Sequence, residues 1–208
     1  MERLTSCVLA SCCLLAMGCA SQKLDQSKYQ VQFPDTEKID LTVALALPDG
    51  LTHFTYHEKG LATAHQYALG PLLSDNIAEC ARAVFRKVVV IDASNLLVVP
   101  PECDVIFVPE VKDFEESDSY TAFSKVEIVL TMDLRVYTAQ RDMLWSSQIA
   151  GRAPTSAGTA FDMHAKRNRR IRLLMEDLHA NIYRALLDAE PIRQCAPAAK
   201  SLYDDISC

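Results

Sequence analysis

The chain has 208 residues, 23% charged and 50% hydrophobic, and a formal charge of −6. That composition excludes a disordered polymer, and an acidic chain without a dominant basic tract is a poor fit to nucleic acid as a partner. One folded domain with a proper core, of about 190 residues once a leader is removed, is the expected organisation.

The leader comes first. Arg3 precedes an apolar run from Cys7 to Met17, and Gly18 stands directly before Cys19, which is the order of n-region, h-region and cleavage site. The run is too short to span a bilayer. Leu15-Ala16-Met17-Gly18-Cys19 resembles the lipobox of bacterial lipoproteins, with Met17 where that family prefers a small residue. The resemblance implies removal of residues 1–18 and a lipid on Cys19; an ordinary secretory signal cut near Ala20 is the alternative. Either way the mature chain works outside the cytoplasm. Ala20 follows Cys19 where an Asp would favour inner-membrane retention, so the same resemblance implies an outer-membrane protein facing the periplasm.

Residues 19–38 read as a polar tether, and about 19 flexible residues reach on the order of 25 Å. Tyr29, Val31 and Phe33 alternate with polar residues, so the later half also has the pattern of an edge strand. The periplasmic domain is expected over residues 39–190. Ile39, Leu41, Val43, Leu45 and Leu47 fall at period two and predict a strand, ended by a turn at Pro48-Asp49-Gly50. A short strand is expected over Thr52 to Tyr56, then a loop with Gly60. Gly70-Pro71 opens a helix with Leu73, Ile77, Cys80, Ala81 and Val84 along one face. The β-branched run Val88 to Ile91 and the run Asp104 to Val108 predict two more strands, separated by a loop containing Pro100-Pro101.

The clearest strand runs from about Lys125 to Tyr137, where Val126, Ile128, Leu130, Met132, Leu134 and Val136 form one apolar face. Gln140-Arg141-Asp142 is a turn, and Met143 to Ile149 returns as an antiparallel partner. A loop follows over Gly151 to Thr159. The final helix is expected from Phe161 to Leu187, with Ile171, Leu174, Leu178 and Ile182 on one face, and residues 191–208 form a tail. Helices segregated from strands indicate an α+β fold: a mostly antiparallel sheet with a long hairpin and two helices packed on one face.

Four of the eight cysteines remain beyond Cys19: Cys80, Cys103, Cys195 and Cys208. In an oxidising compartment they can pair in three ways. Cys80 to Cys103 together with Cys195 to Cys208 is the expected pairing, the latter closing a short loop worth roughly 3 kcal/mol; a buried free Cys80 is the alternative.

The run Asp104-Val105-Ile106-Phe107-Val108-Pro109-Glu110-Val111, the hairpin closing with Leu144-Trp145-Ser146 and the flanking helices resemble small outer-membrane lipoproteins whose domain is like the N-terminal domain of TolB. That group includes the curli-secretion lipoprotein, PelC and LptE. Its members commonly have Gly in the hairpin turn, where this chain has Arg141-Asp142. The resemblance implies a non-catalytic accessory or assembly subunit of an envelope complex, held to the membrane by its lipid, and self-association.

No motif for a nucleophile elbow, a metalloprotease or a phosphate loop is present, no C-x-x-C pair suggests zinc, and no cofactor is expected. A hydrolase would need a convergence of carboxylates or a serine. His53 and His57 on one strand would stand about 13 Å apart, too far for joint metal binding. His65, His164 and His179 read as solvated. The acidic run Glu110, Asp113, Glu115, Glu116 and Asp118 lacks the Gly and spacing of a calcium loop and reads as a wet hairpin tip. Lys166, Arg167, Arg169, Arg170 and Arg172 form a basic cluster at the start of the last helix, where the helix dipole disfavours positive charge; it is a candidate contact for anionic lipid or an acidic partner, or else a solvated face. Trp145 is a candidate interface anchor or a sheet-edge aromatic. A second function class is a lipid- or glycan-binding carrier that uses the space between the apolar sheet face and the helices.

Overall fold

A computed structural model of the chain describes residues 33–34, 36–58, 65–92, 99–116, 126–155 and 163–196. The expected leader, Cys19, Asp118 and residues 197–208, with Cys208, lie outside the described residues. Along the chain run β1 (Ile39–Leu47), α1 (Asp49–Thr52), β2 (Thr55–Glu58), β3 (His65–Ala68), α2 (Gly70–Val84), β4 (Phe85–Asp92), β5 (Val105–Glu116), β6 (Val126–Thr138), β7 (Met143–Thr155), α3 (Met163–Leu187) and α4 (Glu190–Gln194).

Five strands form one sheet in the order β4-β1-β5-β6-β7, and β2 and β3 form a separate antiparallel pair. β5, β6 and β7 pair antiparallel along most of their lengths, with Met132 opposite both Val111 and Ile149. β1, at the other end of the sequence, lies parallel to β4 and to β5. Antiparallel pairing therefore dominates by length, but half of the sheet is built by crossovers. α2 makes one crossover, over one face. The other joins β4 to β5, and just before β5 Cys103 packs onto Ala44, Ala46 and Ile106 on the opposite face. Parallel neighbours need such a connection of about a dozen residues.

The alternation along β1 and β6 puts Leu41, Val43 and Leu45, and Leu130, Met132 and Leu134, against Leu73 and Ile77 of α2 and Leu174, Leu178 and Ile182 of α3 in one core. Gly70 is required where α2 begins, because a Cβ there would meet the Thr52 carbonyl oxygen at 2.1 Å. The β6–β7 turn closes with Arg141 N–H donating to the Thr138 carbonyl at 2.9 Å, and Arg141 takes φ 72°, the left-handed conformation that glycine adopts most easily. No helix among the described residues is long and apolar enough to cross a membrane.

Several expectations are corrected. Pro48-Asp49-Gly50 leads into the one-turn helix α1 rather than a plain turn. Gly151 to Thr155 continues β7 instead of opening a loop, because Gly151 has no side chain to hold α3 away: a Cβ would stand 2.6 Å from that of Leu178. Glu110, Asp113, Glu115 and Glu116 of the acidic run belong to β5, not to a hairpin tip. Cys80 and Cys103 are free thiols. They lie on opposite sides of β1, Cys80 in the core beneath the helices and Cys103 in the small cluster on the other face, so no bridge joins them. Burial pushes the Cys80 thiol pKa well up, as expected for an inert thiol. Cys195 is an exposed free thiol.

Candidate functional site

The sheet face beneath the helices is packed shut: Leu130, Leu134, Leu174 and Ile182 have no accessible surface. The space assigned to a carrier from the sequence is thus occupied by side chains. A cleft lies beside it, a cavity of about 580 Å³ between α1, β2 and the second half of β5. Its volume falls in the range of small-molecule sites.

The cleft is built by a bulge. Val111 pairs with Met132 and Asp113 with Thr131, leaving Lys112 as the extra residue. A bulge re-aims the side chains that follow it. The Asp113 carboxylate accepts the Phe114 N–H at 2.8 Å, and Phe114 turns toward β2, 4.2 Å centroid to centroid from Tyr56 and 6.1 Å from Phe54. Tyr56 stacks in turn on Tyr67 at 6.2 Å. Three half-buried aromatic rings thus line the cleft, and exposed His57, Lys112 and Asp113 stand at its rim. Aromatic faces beside mixed polar groups suit a ring with one apolar face and hydroxyls at its edge, or a hydrocarbon segment.

A second buried polar arrangement lies between the helices. His179 of α3 is 1% exposed, which corrects the reading of it as solvated. Its Nδ1 is 3.2 Å from Asn76 Oδ1, Asn76 donates to the Leu72 carbonyl, and the His179 carbonyl accepts from the Cys80 thiol at 3.6 Å. His179 Nε2 is buried without a hydrogen-bond partner. Burial lowers its pKa to about 4, so the ring is neutral at ordinary pH. The N-terminal segment closes over it: Phe33 lies 4.6 Å from His179 and 4.9 Å from Tyr183 between ring centroids, and the Thr36 hydroxyl is 2.6 Å from that of Tyr183. The stretch read as tether therefore docks on the domain at Phe33 and Thr36.

The other candidates are dispersed. Trp145 is half-buried on β7 opposite Val136, packed against the core. Arg169 and Arg172 are exposed on α3, Arg170 is half-buried, and Arg172 pairs with Glu176 at 3.5 Å; Lys166 and Arg167 are on the same helix, with side chains outside the described set. Since α3 begins at Met163, the cluster extends past the first turn, where the dipole effect fades. His53 ends α1 and His57 is on β2, so they share no strand. Glu110 instead pairs with Arg135 at 3.0 Å on the helix-free face. Among the described residues no group of three or more metal-ligating side chains occurs.

No family model matches the chain, and no curated protein matches it either. Solved structures do share its general course. They include the hypothetical protein CT253 from Chlamydia trachomatis, 12% identical with a TM-score of 0.46 over 76% of this chain and 99% of the other. A minor lipoprotein from Acinetobacter baumannii is 11% identical with a TM-score of 0.46 over 73% and 93%. A PelC dodecamer from Paraburkholderia phytofirmans is 14% identical with a TM-score of 0.43 over 76% and 90%. Each likeness is loose and concerns the backbone.

Sequence reasoning missed the aromatic cleft because its rings come from two segments far apart in the chain, Phe54 and Tyr56 around the start of β2 and Phe114 in β5, with no common period. His179 was findable: it stands four residues after Met175 and three before Ile182, on the apolar stripe of α3.

Proposed function

We propose that the protein is an outer-membrane lipoprotein, anchored through Cys19 and facing the periplasm, that serves as a non-catalytic accessory or assembly subunit of a cell-envelope complex. The observation that carries this reading is the docked N-terminal segment. Phe33 is fourteen positions after Cys19 and is fixed against α3, so a fully stretched chain leaves at most about 50 Å between lipid and domain. The lipid then confines the domain to a thin layer beside the membrane and raises its effective concentration for partners there. Arg169 and Arg172 on the earlier turns of the same helix supply charge for an acidic partner or anionic head groups. Palmitate labelling and crosslinked pull-down from intact membranes test the proposal. Wild type is expected to be labelled and to enrich one envelope complex, and Cys19→Ala to lose both; labelling that survives the substitution overturns the anchor.

The aromatic cleft supports a second reading, a glycan- or lipid-binding module whose site is Phe54, Tyr56 and Phe114 rather than the closed core. Under this reading a bound oligosaccharide or lipid co-purifies with wild type and is lost from Tyr56→Ala.

A further inference from the structure

Among the described residues the sheet ends at β4 on one side, and β4 is a poorly protected edge. Its eight residues, Phe85-Arg86-Lys87-Val88-Val89-Val90-Ile91-Asp92, carry four successive β-branched side chains. Val90 is 46% exposed, one of two large hydrophobic residues so exposed among those described. A long apolar edge of this kind is a template for pairing with another strand.

The order of charges says which strand. Arg86, Lys87 and Asp92 are exposed, with both cations at one end of β4 and the carboxylate at the other. When two copies of β4 are laid antiparallel with Val89 opposite Val89, Val88 falls opposite Val90 and Arg86 opposite Asp92, twice over by symmetry. Opposite charges directly across an antiparallel pair attract, and like charges in the same places repel. Arg86 already reaches across to Asp40 on its own sheet, with 73% of its side chain exposed, so it is presented at the surface and not committed to the core. A parallel pairing would instead bring like charges together at both ends. We propose that β4 is a self-association edge, joining two copies of the chain into a continuous sheet about a two-fold axis at Val89. This goes beyond the tethered-subunit reading and stands without it, since it rests on β4 alone.

The test uses full-length chains carrying two different tags, co-expressed, extracted in detergent and recovered through one tag. Wild type is expected to recover its differently tagged copy. Arg86→Asp places two aspartates opposite each other and Asp92→Arg two arginines, so each variant is expected to recover itself about tenfold less well. Arg86→Asp mixed with Asp92→Arg restores both attractive pairs, and recovery is expected to return, as it is in the doubly substituted chain. Val90→Lys, which removes the apolar contact, should reduce recovery without a charge partner to rescue it. Thermal unfolding of every variant at the wild-type temperature establishes that folding is intact. Absence of wild-type recovery, single variants that recover as wild type does, or a mixed pair that fails to regain recovery overturns the proposal.

Discussion

The two edges of the central sheet are handled in opposite ways. At β7, Asn181 of α3 donates its side-chain amide to the Ala150 carbonyl at 2.9 Å, and Asp177 accepts the Arg152 N–H at 2.8 Å, so the helix takes up backbone groups that an incoming strand would use. At β4 the apolar side chain of Val90 stands in solvent between charged ends. The difference teaches that edge protection follows the covering helix. α3 lies close along β7 because Gly151 lets it approach, whereas α2 passes into β4 without an intervening residue and covers the interior of the sheet instead.

The comparison breaks most sharply at Gly151. Gly151→Val would push a branched side chain into Leu178 and the Leu174 carbonyl, and overpacking of this kind costs about 3 kcal/mol; denaturant unfolding is expected to show that loss, with the β7 edge exposed. Acid should loosen the same helix. The unfolded His179 titrates near its ordinary value of 6.5 and the folded one near 4, so the unfolded state binds the proton first. Stability is expected to be full above pH 6.5 and to fall by about 3 kcal/mol as pH drops toward 4. A His179→Gln variant should flatten that decline in a pH series of melts. A smaller effect is expected for Asn181→Ala, about 1 kcal/mol for a lost side-chain to backbone hydrogen bond, with faster amide exchange along β7 near Ala150 and none at β4. Arg172→Ala, which removes an exposed pair with Glu176, should change stability by less than about 0.5 kcal/mol, marking α3's outer surface as irrelevant to how it covers β7.

Much of this architecture is legible in the order of residues alone. The alternation of β6 and the stripes of α2 and α3 are written in runs of a dozen residues or more, long enough for a period to stand out. The parallel placement of β1 between β4 and β5 is not, because Val43 and Val88 show the same pattern whether their strands run together or opposed. β2 and β3 have four residues each, too few to carry a period. The acidic residues of β5 look like a loop because charge reports solvent, and one face of that strand is open to solvent: Glu110 finds Arg135 there. For the candidate cleft the decisive feature is a single extra residue, Lys112, whose effect on Phe114 depends on the pairing of β5 with β6. The bridge expected between Cys80 and Cys103 is absent for a related reason: Cys80 does lie on the apolar face of its helix and Cys103 does precede a strand of the same sheet, but the crossover carries Cys103 to the far side.

The contact between Thr36 and Tyr183 joins residues 147 positions apart. A chain is made from its N-terminus, so Phe33 and Thr36 exist long before the helix that receives them, and contacts so distant in sequence carry a large closure cost that is recovered only late in folding. The segment around Phe33 and Thr36 is therefore among the last to be seated, and its docking signals that the whole domain, through α3, has been made and folded.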